Sequence, residues 1–275
     1  MALPREPRAV VTGAGSGLGR AFCLELAARK ARILAADINL AAAEETVRLV
    51  EAAGGQAIPH RCDVAQPDEV EGLATRIEKE YGAADLVINN AGVAVGGPVG
   101  KIPLDDWRWI VGINLWGVIY GCHVFVPRFK SRGSGHIINV ASAAGLLSAP
   151  EMAPYNVTKS GVVALSETLH AELSGTGVTV TVLCPTFFKT NIHRAAHSHA
   201  DAGTPDDIEK LMDRAKLQAP DVARFALDTA DAGELYAVPH ADGRWMWRLK
   251  RLAPEAFQTK IVPRFVQQMQ KRRRG

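Results

Sequence analysis

A glycine-rich turn near the start of the chain limits the possible folds more than any other stretch. The apolar residues 9–11 lead into Thr12-Gly13-Ala14-Gly15-Ser16-Gly17-Leu18-Gly19, and helical spacing follows over residues 18–29. Residues without a Cβ permit the close backbone approach that a pyrophosphate needs, and the positive end of the following helix favours phosphate groups. The turn therefore predicts a dinucleotide site at the end of the first strand.

Strand patterns alternate with helical patterns along most of the chain. We expect strands at residues 9–11, 32–37, 57–62, 86–89, 136–141, 178–183 and 235–238, and helices at residues 18–29, 40–53, 67–81, 104–130 and 154–173. Apolar strands separated by helices are typical of a parallel sheet covered on both faces. The pattern predicts a doubly wound α/β fold with a mainly parallel seven-stranded sheet. We expect one domain over residues 1–239, a mobile lid at about residues 191–218, and a C-terminal extension over residues 240–275.

The acidic residue Asp37 ends the strand that follows the glycine-rich turn. A carboxylate there can accept hydrogen bonds from adenosine ribose hydroxyls and would repel a 2′-phosphate. Ile38 and Asn39 come next, where a cofactor with that phosphate would need Arg or Lys. We therefore expect NAD rather than NADP; the alternative is that Asp37 caps the helix beginning near Leu40.

A second motif, Tyr155-Asn156-Val157-Thr158-Lys159, places a phenol and an ammonium four residues apart on one helix face. Pro154 puts Tyr155 in the first helical turn, where the helix dipole favours negative charge. A nearby cation also lowers a tyrosine pKa. Ser142 follows the strand at 136–141, at the edge where open α/β sheets bind ligands. The arrangement predicts acid–base chemistry, although YxxxK alone also occurs by chance on helix surfaces.

The motifs occur as an ordered set: TGAGSGLG, Asp37, Asp63, Asn89-Asn90-Ala91-Gly92, Asn114, Ser142, Tyr155 and Lys159. The set resembles the short-chain dehydrogenase/reductase family, in its compact branch, over roughly residues 8–238. The resemblance implies a Rossmann-type fold and an NAD-dependent oxidoreductase that transfers hydride between the nicotinamide and an alcohol or ketone. The alternative is a non-catalytic NAD(H)-sensing or scaffold protein, which would be expected to lose Tyr155, Lys159 or Ser142; all three are present.

The resemblance also implies which residues hold the cofactor. The loop residues are Gly13, Ser16, Gly17, Leu18 and Gly19, with Asp37 on the ribose. Asp63 and Val64 would lie at the adenine, and Asn90, Ala91 and Gly92 would line the adenosine and ribose side. Toward the nicotinamide the implied residues are Tyr155, Lys159, Pro185, Phe188 and Thr190.

For the reaction itself, the resemblance implies Tyr155 as the general acid–base, with Lys159 lowering its pKa and binding the nicotinamide ribose. Ser142 would orient the substrate oxygen, and Asn114 would hold a water in a proton relay. Each residue also has a purely structural alternative: Asn89-Asn90 as a turn, Asn114 as a helix kink and Ser142 as a helix cap.

One position departs from the family pattern, because Thr186 stands where Pro-Gly usually supplies a glycine. The substrate pocket is expected to include Ser142, Leu146, Met152 and Phe187, which favours an apolar secondary alcohol or ketone. Phe187 and Phe188 could each be pocket wall or core. His193, His197 and His199 are expected to be solvated or to face the substrate, and we predict no metal site.

Charge and cysteine content bound the partners and the compartment. The C-terminal segment from Ala241 carries +8, including Lys271-Arg272-Arg273-Arg274, which leaves the rest of the chain mildly acidic and argues against nucleic acid. The four cysteines lie far apart, as in reduced thiols of a cytoplasmic enzyme. The start is not typical of a signal peptide, and no run was expected to reach the roughly 20 apolar residues of a membrane span.

Two surfaces are expected to meet partners. The outer faces of the helices at 104–130 and 154–173, with Trp107, Trp109 and Trp116, predict a homodimer or homotetramer. In the C-terminal segment, Trp245, Trp247 and Phe257 interleave with cations, and Pro254 and Pro263 should divide it into short helices. We favour packing of these aromatics over the pocket or on a neighbouring subunit; contact with an anionic membrane surface is the alternative.

Overall fold

The computed structural model describes residues 2–186, 188, 197–199 and 215–264. Its first half contains β1 (Arg8–Thr12), α1 (Gly17–Ala28), β2 (Arg32–Asp37), α2 (Leu40–Ala52), β3 (Gln56–Arg61), α3 (Pro67–Tyr81) and β4 (Leu86–Asn89). A two-residue strand β5 (Val95–Gly96) follows, then α4 (Leu104–Val111), a π-helical turn (Gly112–Trp116), α5 (Gly117–Arg132) and β6 (Gly135–Val140). These elements match the predicted alternation closely.

The second half completes the sheet and adds C-terminal helices. It contains α6 (Ala143–Leu147), α7 (Ala153–Glu172), β7 (Val178–Leu183), β8 (His197–Ser198), α8 (Ala219–Asp231) and β9 (Tyr236–Ala237). The chain continues into α9 (Ala241–Leu252), the short helix α10 (Pro254–Ala256) and a second π-helical turn (Phe257–Ile261).

The predicted parallel sheet is confirmed. Its seven strands run in the order β3-β2-β1-β4-β6-β7-β9, and every neighbouring pair is parallel. Val10 of β1 lies between Leu34 and Val87 of the two flanking strands. The strand order reverses between β1 and β4, and in open α/β sheets the crevice at such a reversal binds the ligand. The fold therefore places the ligand site at the carboxyl ends of β1, β4 and β6.

Helices cover both faces of this sheet because its central strands have apolar side chains on both sides. On one face α3 and α5 contribute Leu73, Ile77, Phe125 and Phe129 to the core. On the other face α1 packs against α8, and both bury apolar side chains such as Phe22 and Leu227. All residues of β4 and β6 are buried. The four cysteines are free and buried as expected, and burial raises the pKa of Cys23, Cys62, Cys122 and Cys184 to about 12.

The structure corrects several sequence-based expectations. The predicted helix at 104–130 is two helices joined by the π-helical turn, and β5, β8, α6 and α8 were not predicted. Two-residue strands are too short to show a pattern. The helix α8 did have a signal, since the side chains of Gln218 and Asp221 form a capping box around Pro220.

The stretch Leu104–Arg132 is long and apolar enough to cross a membrane by length and composition, which contradicts our expectation that no run reaches that length. Its inner face is part of the core, however, through Val118, Cys122, Phe125 and Phe129. Core packing accounts for its apolar composition.

The C-terminal segment is partly packed on the body of the protein. Trp247 contacts the main core and Phe257 is buried, whereas Trp245 and Leu252 are 64% and 85% exposed. Pro254 begins a new helix as expected, but Pro263 lies within helical residues 262–264 and does not end them. The π-helical turn just before Pro263 displaces the hydrogen-bond ladder that a proline would otherwise interrupt. Residues 265–275, with the terminal basic run, lie outside the described residues.

Candidate active site

The glycine-rich turn is packed so closely that side chains would not fit. A Cβ at Gly19 would lie 2.0 Å from the Gly13 carbonyl oxygen, and one at Gly13 would lie 2.8 Å from the Ala91 Cα. Gly13 and Gly17 have left-handed φ values of 65° and 51°. Ser16 precedes α1 and its side chain does not cap the helix. The turn therefore presents backbone and an open helix N-terminus at the crevice, which fits the diphosphate of a dinucleotide.

Asn90 and Ala91 lie beside this turn as predicted. The Thr12 hydroxyl accepts hydrogen bonds from the backbone N–H groups of Asn90 and Ala91, at 3.0 Å and 3.1 Å. The Asn90 side-chain amide donates to the Thr12 carbonyl at 2.8 Å. Asn90 therefore links the ends of β1 and β4, and Ala91 and Gly92 carry the chain past the crevice.

Asp37 also faces the glycine-rich turn. Its Oδ2 accepts a hydrogen bond from the Gly15 N–H at 2.8 Å, and its Oδ1 accepts one from the Asn39 N–H at 2.9 Å. The cap of α2 is Asn39, whose side chain accepts from the Ala42 N–H at 3.3 Å. The alternative that Asp37 caps this helix is therefore wrong, and Asp37 stands where a ribose would meet the turn.

The two residues predicted at the adenine follow β3. Asp63 is half-buried and its Oδ1 accepts a hydrogen bond from the Ala65 N–H at 3.0 Å. Val64 is buried in the core and contacts Gly117, where a Cβ would lie 2.9 Å from its Cγ2. The fold thus places Asp63 at the carboxyl edge of the sheet, while the Val64 side chain packs in the core next to that edge.

Ser142, Tyr155 and Lys159 are brought together by the packing of α6 on α7. Ser142 is the N-cap of α6, and its Oγ accepts a hydrogen bond from the Ala144 N–H at 3.1 Å. The cap alternative for Ser142 is therefore correct. The same hydroxyl lies close enough to the Tyr155 phenol to lower its pKa. Tyr155 is the third residue of α7, as the position of Pro154 predicted.

Lys159 is buried one turn after Tyr155. Its Nζ donates a hydrogen bond to the Val140 carbonyl at 2.7 Å and lies 5.7 Å from the centroid of the Tyr155 ring. Burial lowers the pKa of Lys159 to about 8. A Cβ at Gly92 would lie 3.5 Å from this Nζ, so the ammonium borders the crevice near the end of β4.

The expected effect of Lys159 on Tyr155 is not seen in this structure. Burial raises the pKa of Tyr155 above its ordinary value, and this outweighs the lowering by the nearby Ser142 hydroxyl. The lysine contacts the face of the ring and gives its hydrogen bond to a strand carbonyl, so it does not offset the loss of solvation at the phenol oxygen.

Asn114 lies inside the π-helical turn and is completely buried. Its side chain accepts from the Val93 N–H at 2.8 Å and donates to the Val93 carbonyl at 2.9 Å. The structural alternative for Asn114 is therefore supported, because it lies at an irregularity of the helix. Such π-helical turns also recur at functional sites. A Cβ at Gly92 would lie 3.2 Å from the Asn114 Oδ1, which places this side chain beside the crevice.

Two of the predicted pocket and cofactor side chains are buried within core clusters. Leu146 is buried in the core cluster beside α7, and Phe188 is buried in the other core cluster, where its ring stacks on His240. Met152 is half-buried and bridges to Gly97. Phe187 and Thr190, with most of the expected lid, lie outside the described residues.

The loop after β7 is held against α6 and the C-terminal helix. The carbonyl of Pro185 accepts a hydrogen bond from the Ala143 N–H at 2.8 Å. Thr186 does not adopt a left-handed conformation, and its N–H donates to His240 Nδ1 at 3.3 Å. The backbone at Thr186 is therefore ordinary for a β-branched residue, although the family pattern usually has a glycine there.

An apolar cluster beside Tyr155 was missed. Tyr155 packs with half-buried Val93, Trp107 and Trp109 around the buried residues Val95, Ile102 and Ile110. Their spacing gives no sign of this grouping, because they come from a loop, β5 and α4.

Residues 197–199, from the predicted lid, lie against this cluster. His197 stacks on Trp109 with ring centroids 4.3 Å apart, and the Asp106 carboxylate binds both His197 and His199. These two histidines are therefore held by Asp106, while His197 stays exposed to solvent and His199 is half-buried, as the solvated alternative expected. Among the described residues, no group of three or more His, Cys, Asp or Glu side chains is arranged to hold a metal ion; His193 is not among them.

Several known proteins are similar to this chain in sequence. A family model described as short chain dehydrogenase matches residues 7–201. D-threitol dehydrogenase of Mycolicibacterium smegmatis is 36% identical over 78% of this chain and 81% of its own. The 1-deoxy-11-beta-hydroxypentalenate dehydrogenase of Streptomyces exfoliatus is 30% identical over 93% of this chain and 94% of its own. EphD of Mycobacterium tuberculosis is 36% identical over 72% of this chain, which spans only 34% of that longer protein.

Solved structures of short-chain dehydrogenases have the same fold as this chain. A short-chain dehydrogenase/reductase from Burkholderia phymatum, in complex with NAD, is 34% identical with a TM-score of 0.86, covering 93% of this chain and 96% of that one. A short-chain dehydrogenase from Sphingobium yanoikuyae, in complex with NADPH, shares the fold at 23% identity, a TM-score of 0.76, and coverage of 92% and 96%. The matching family model, the sheet order and the neighbouring structures show that this chain belongs to the short-chain dehydrogenase/reductase family of nicotinamide-dependent oxidoreductases.

Proposed function

We propose that this protein is an NAD-dependent dehydrogenase of apolar secondary alcohols, or a reductase of the corresponding ketones, with Tyr155 as the general acid–base. The observation that carries the proposal is the grouping of three side chains: Ser142 precedes α6, α6 packs on α7, and on α7 the Lys159 Nζ lies 5.7 Å from the centroid of the Tyr155 ring. In the proposal both hydroxyls reach one substrate oxygen, so that Ser142 orients it and Tyr155 exchanges its proton.

Each residue has a separate task in this proposal. Tyr155 gives a proton to a carbonyl oxygen during reduction and takes one from the hydroxyl during oxidation. Lys159 binds the nicotinamide ribose, and the Val140 carbonyl holds its ammonium in place. The nicotinamide supplies or accepts the hydride when it is bound. Asn114 supports the wall of the crevice through Val93, and a water near it would connect Tyr155 to solvent.

NAD is preferred over NADP in the proposal because of the charges around the glycine-rich turn. The Asp37 carboxylate is held at the turn by Gly15, where it would repel a 2′-phosphate. Ile38, the next residue, is 60% exposed and offers no positive charge. Arg20 approaches the turn through the Gly15 carbonyl at 2.6 Å, but its guanidinium is paired with Glu45 at 2.9 Å.

The substrate class rests on the apolar cluster rather than on the pocket residues first expected. Val93, Trp107 and Trp109 surround one side of Tyr155, so a substrate that brings its oxygen to this hydroxyl meets apolar and aromatic side chains. A polyol would lose hydration there without gaining hydrogen bonds. An apolar secondary alcohol therefore suits the site better than a polyol.

We also propose a symmetric homo-oligomer that works in the cytoplasm. Trp116, at the end of the π-helical turn, is 47% exposed, and Val157 on α7 is also exposed. Both lie on the helices whose outer faces we expected to pair. The cytoplasmic proposal is supported by the four buried free thiols, which suit a reducing compartment.

A substrate panel tests the proposed function. Cyclic and bulky secondary alcohols, linear secondary alcohols and polyols are each incubated with NAD and with NADP, and turnover is followed at the nicotinamide absorbance. We expect turnover with NAD that is fastest for the apolar alcohols. Binding of NAD without turnover of any alcohol or ketone would favour the non-catalytic alternative, and a preference for polyols would refute the substrate class.

A further inference from the structure

The C-terminal helix α9 lies against two segments that flank the proposed catalytic residues. Its first turn contacts Thr186 in the loop after β7, and Lys250 near its end contacts the end of α6. The loop and α6 are themselves joined by the hydrogen bond from the Ala143 N–H to the Pro185 carbonyl. The helix α9 thus contacts both the loop after β7 and α6, the helix that begins next to Ser142.

Lys250 holds the end of α6 that lies opposite Ser142. Its Nζ donates hydrogen bonds to the Leu146 carbonyl at 2.8 Å and to the Ser148 Oγ at 3.4 Å. Ser148 ends α6 in a left-handed conformation with φ 61°. A cation there satisfies a carbonyl that has no partner within the helix. Because α6 is only five residues long, a shift of its end moves Ser142 at its start.

His240 holds the loop after β7. Its Nδ1 accepts a hydrogen bond from the Thr186 N–H at 3.3 Å, and its ring stacks on Phe188 at a centroid distance of 6.3 Å. Arg244 fixes the start of α9 by donating hydrogen bonds to the Val238 and Pro239 carbonyls at 2.6 Å and 2.8 Å. The imidazole is buried, so the contact with the loop is shielded from water.

We infer that α9 is a clamp on the active site, in which Lys250 sets the position of Ser142 and His240 sets the position of the loop at residues 184–186. Both are positioning residues: neither touches the reacting atoms, and each acts through a backbone hydrogen bond. The inference rests on the proposed function, because it assigns Ser142 to the substrate oxygen and the loop to the nicotinamide side.

Kinetics of single variants test the clamp. In Lys250→Met the aliphatic stem remains but the donor is lost, and we expect kcat to fall about 10- to 100-fold with an unchanged KM for NAD, because small misplacements of a catalytic group cost this much. Lys250→Arg should restore most of kcat. In His240→Phe we expect the KM for NAD to rise with a smaller effect on kcat. The matched control is Arg248→Met, on the exposed face of the same helix, which should behave as wild type.

Amide hydrogen exchange gives a readout that does not require turnover. The Ala144 amide, which donates to Ser142 Oγ, should exchange faster in Lys250→Met, and the Thr186 amide should exchange faster in His240→Phe. If Lys250→Met does not fold, Lys250→Gln replaces it. If the wild type is active and Lys250→Met has the same kcat and the same amide exchange as the wild type, the clamp is refuted and the proposed function stays intact. If the wild type turns over no alcohol, the proposed function fails and exchange alone decides the clamp.

Discussion

The Nζ of Lys159 lies 5.7 Å from the centroid of the Tyr155 ring and gives its hydrogen bond to the Val140 carbonyl 2.7 Å away. The lysine therefore fastens α7 to the end of β6, and it approaches the face of the phenol rather than its oxygen. Ser142 meets the tyrosine side chain from α6. Three elements that follow one another in the chain, β6, α6 and α7, thus fix the proposed acid–base group in place.

Replacing Tyr155 by phenylalanine removes only the hydroxyl group that the proposed mechanism needs. We expect Tyr155→Phe to lower kcat by about 10²–10⁴-fold, the usual contribution of general acid–base catalysis, while the Kd for NAD stays the same. Steady-state kinetics and nicotinamide fluorescence titration measure the two quantities. Tyr81→Phe, on the distant helix α3, is the matched control. Near-normal kcat in Tyr155→Phe would refute the role of this residue.

The buried charge of Lys159 makes stability depend on pH. Burial lowers its pKa from 10.5 in an exposed lysine to about 8, so the folded protein releases this proton before the unfolded chain does. Between those two values the unfolded state binds more protons, and stability rises with pH. Relative to Lys159→Met, the wild type should gain up to about 3 kcal/mol across this window, and the difference should be flat below it.

Urea unfolding of both proteins without cofactor, at several pH values within and below the window, measures this difference. Other titrating groups are common to the two proteins and cancel in the comparison. A difference that does not change with pH would show that Lys159 has an ordinary pKa in the folded state.

The main features of the fold could be read from the sequence because they depend on local patterns. Most strands of the sheet contain an apolar run, and the turn at Gly13 and the helix start at Pro154 carry their own signals. The motif residues also sit where sheet topology requires, since the carboxyl ends of β1, β4 and β6 share one edge.

What the sequence did not reveal depends on contacts between distant segments. The Lys159 bond to Val140 and the Thr186 bond to His240 join residues that no periodicity connects. Leu146 and Phe188 were expected at the pocket because they lie near motif residues, but burial depends on how helices pack, which spacing does not encode. The prediction of a lowered pKa for Tyr155 was wrong for the same reason, since the desolvation that raises this pKa is a property of the assembled site.

Cofactor preference should change when the negative charge of Asp37 is removed and a positive charge is added at position 38. In Asp37→Ala/Ile38→Arg we expect the ratio of kcat/KM for NADP over NAD to rise about 10- to 100-fold, since one charge-assisted hydrogen bond is gained and one repulsion is lost. The Gly15 and Asn39 N–H groups lose their acceptor, so stability should fall by about 1–3 kcal/mol. Asp37→Asn, which keeps the acceptor without the charge, should shift the ratio less. A wild type that already prefers NADP would contradict this interpretation of Asp37.

Subunit assembly should depend on Trp116. Its ring stacks on Tyr120 with centroids 5.4 Å apart, yet nearly half of it is exposed. We expect Trp116→Glu to shift the protein to a smaller species in light scattering at micromolar concentration, because a charge would be buried at the interface. Leu49→Glu, at an exposed apolar position on α2, controls for a general effect of added charge. A monomeric wild type would refute the proposed oligomer.

The packing of α9 on the loop after β7 can be tested through one methyl group. A Cβ at Gly243 would lie 2.7 Å from the Thr186 Cγ2, so Gly243→Ala overpacks this contact and should cost about 1–3 kcal/mol, less the gain of about 1 kcal/mol that alanine gives a helix. Thr186→Ser removes that methyl and keeps the hydroxyl. In the Thr186→Ser background, Gly243→Ala should therefore become neutral or stabilising, which gives a coupling of about 0.5–3 kcal/mol in a double-mutant cycle of unfolding free energies. Additive effects would mean that Thr186 and Gly243 do not touch in solution, and that α9 does not lie against the loop.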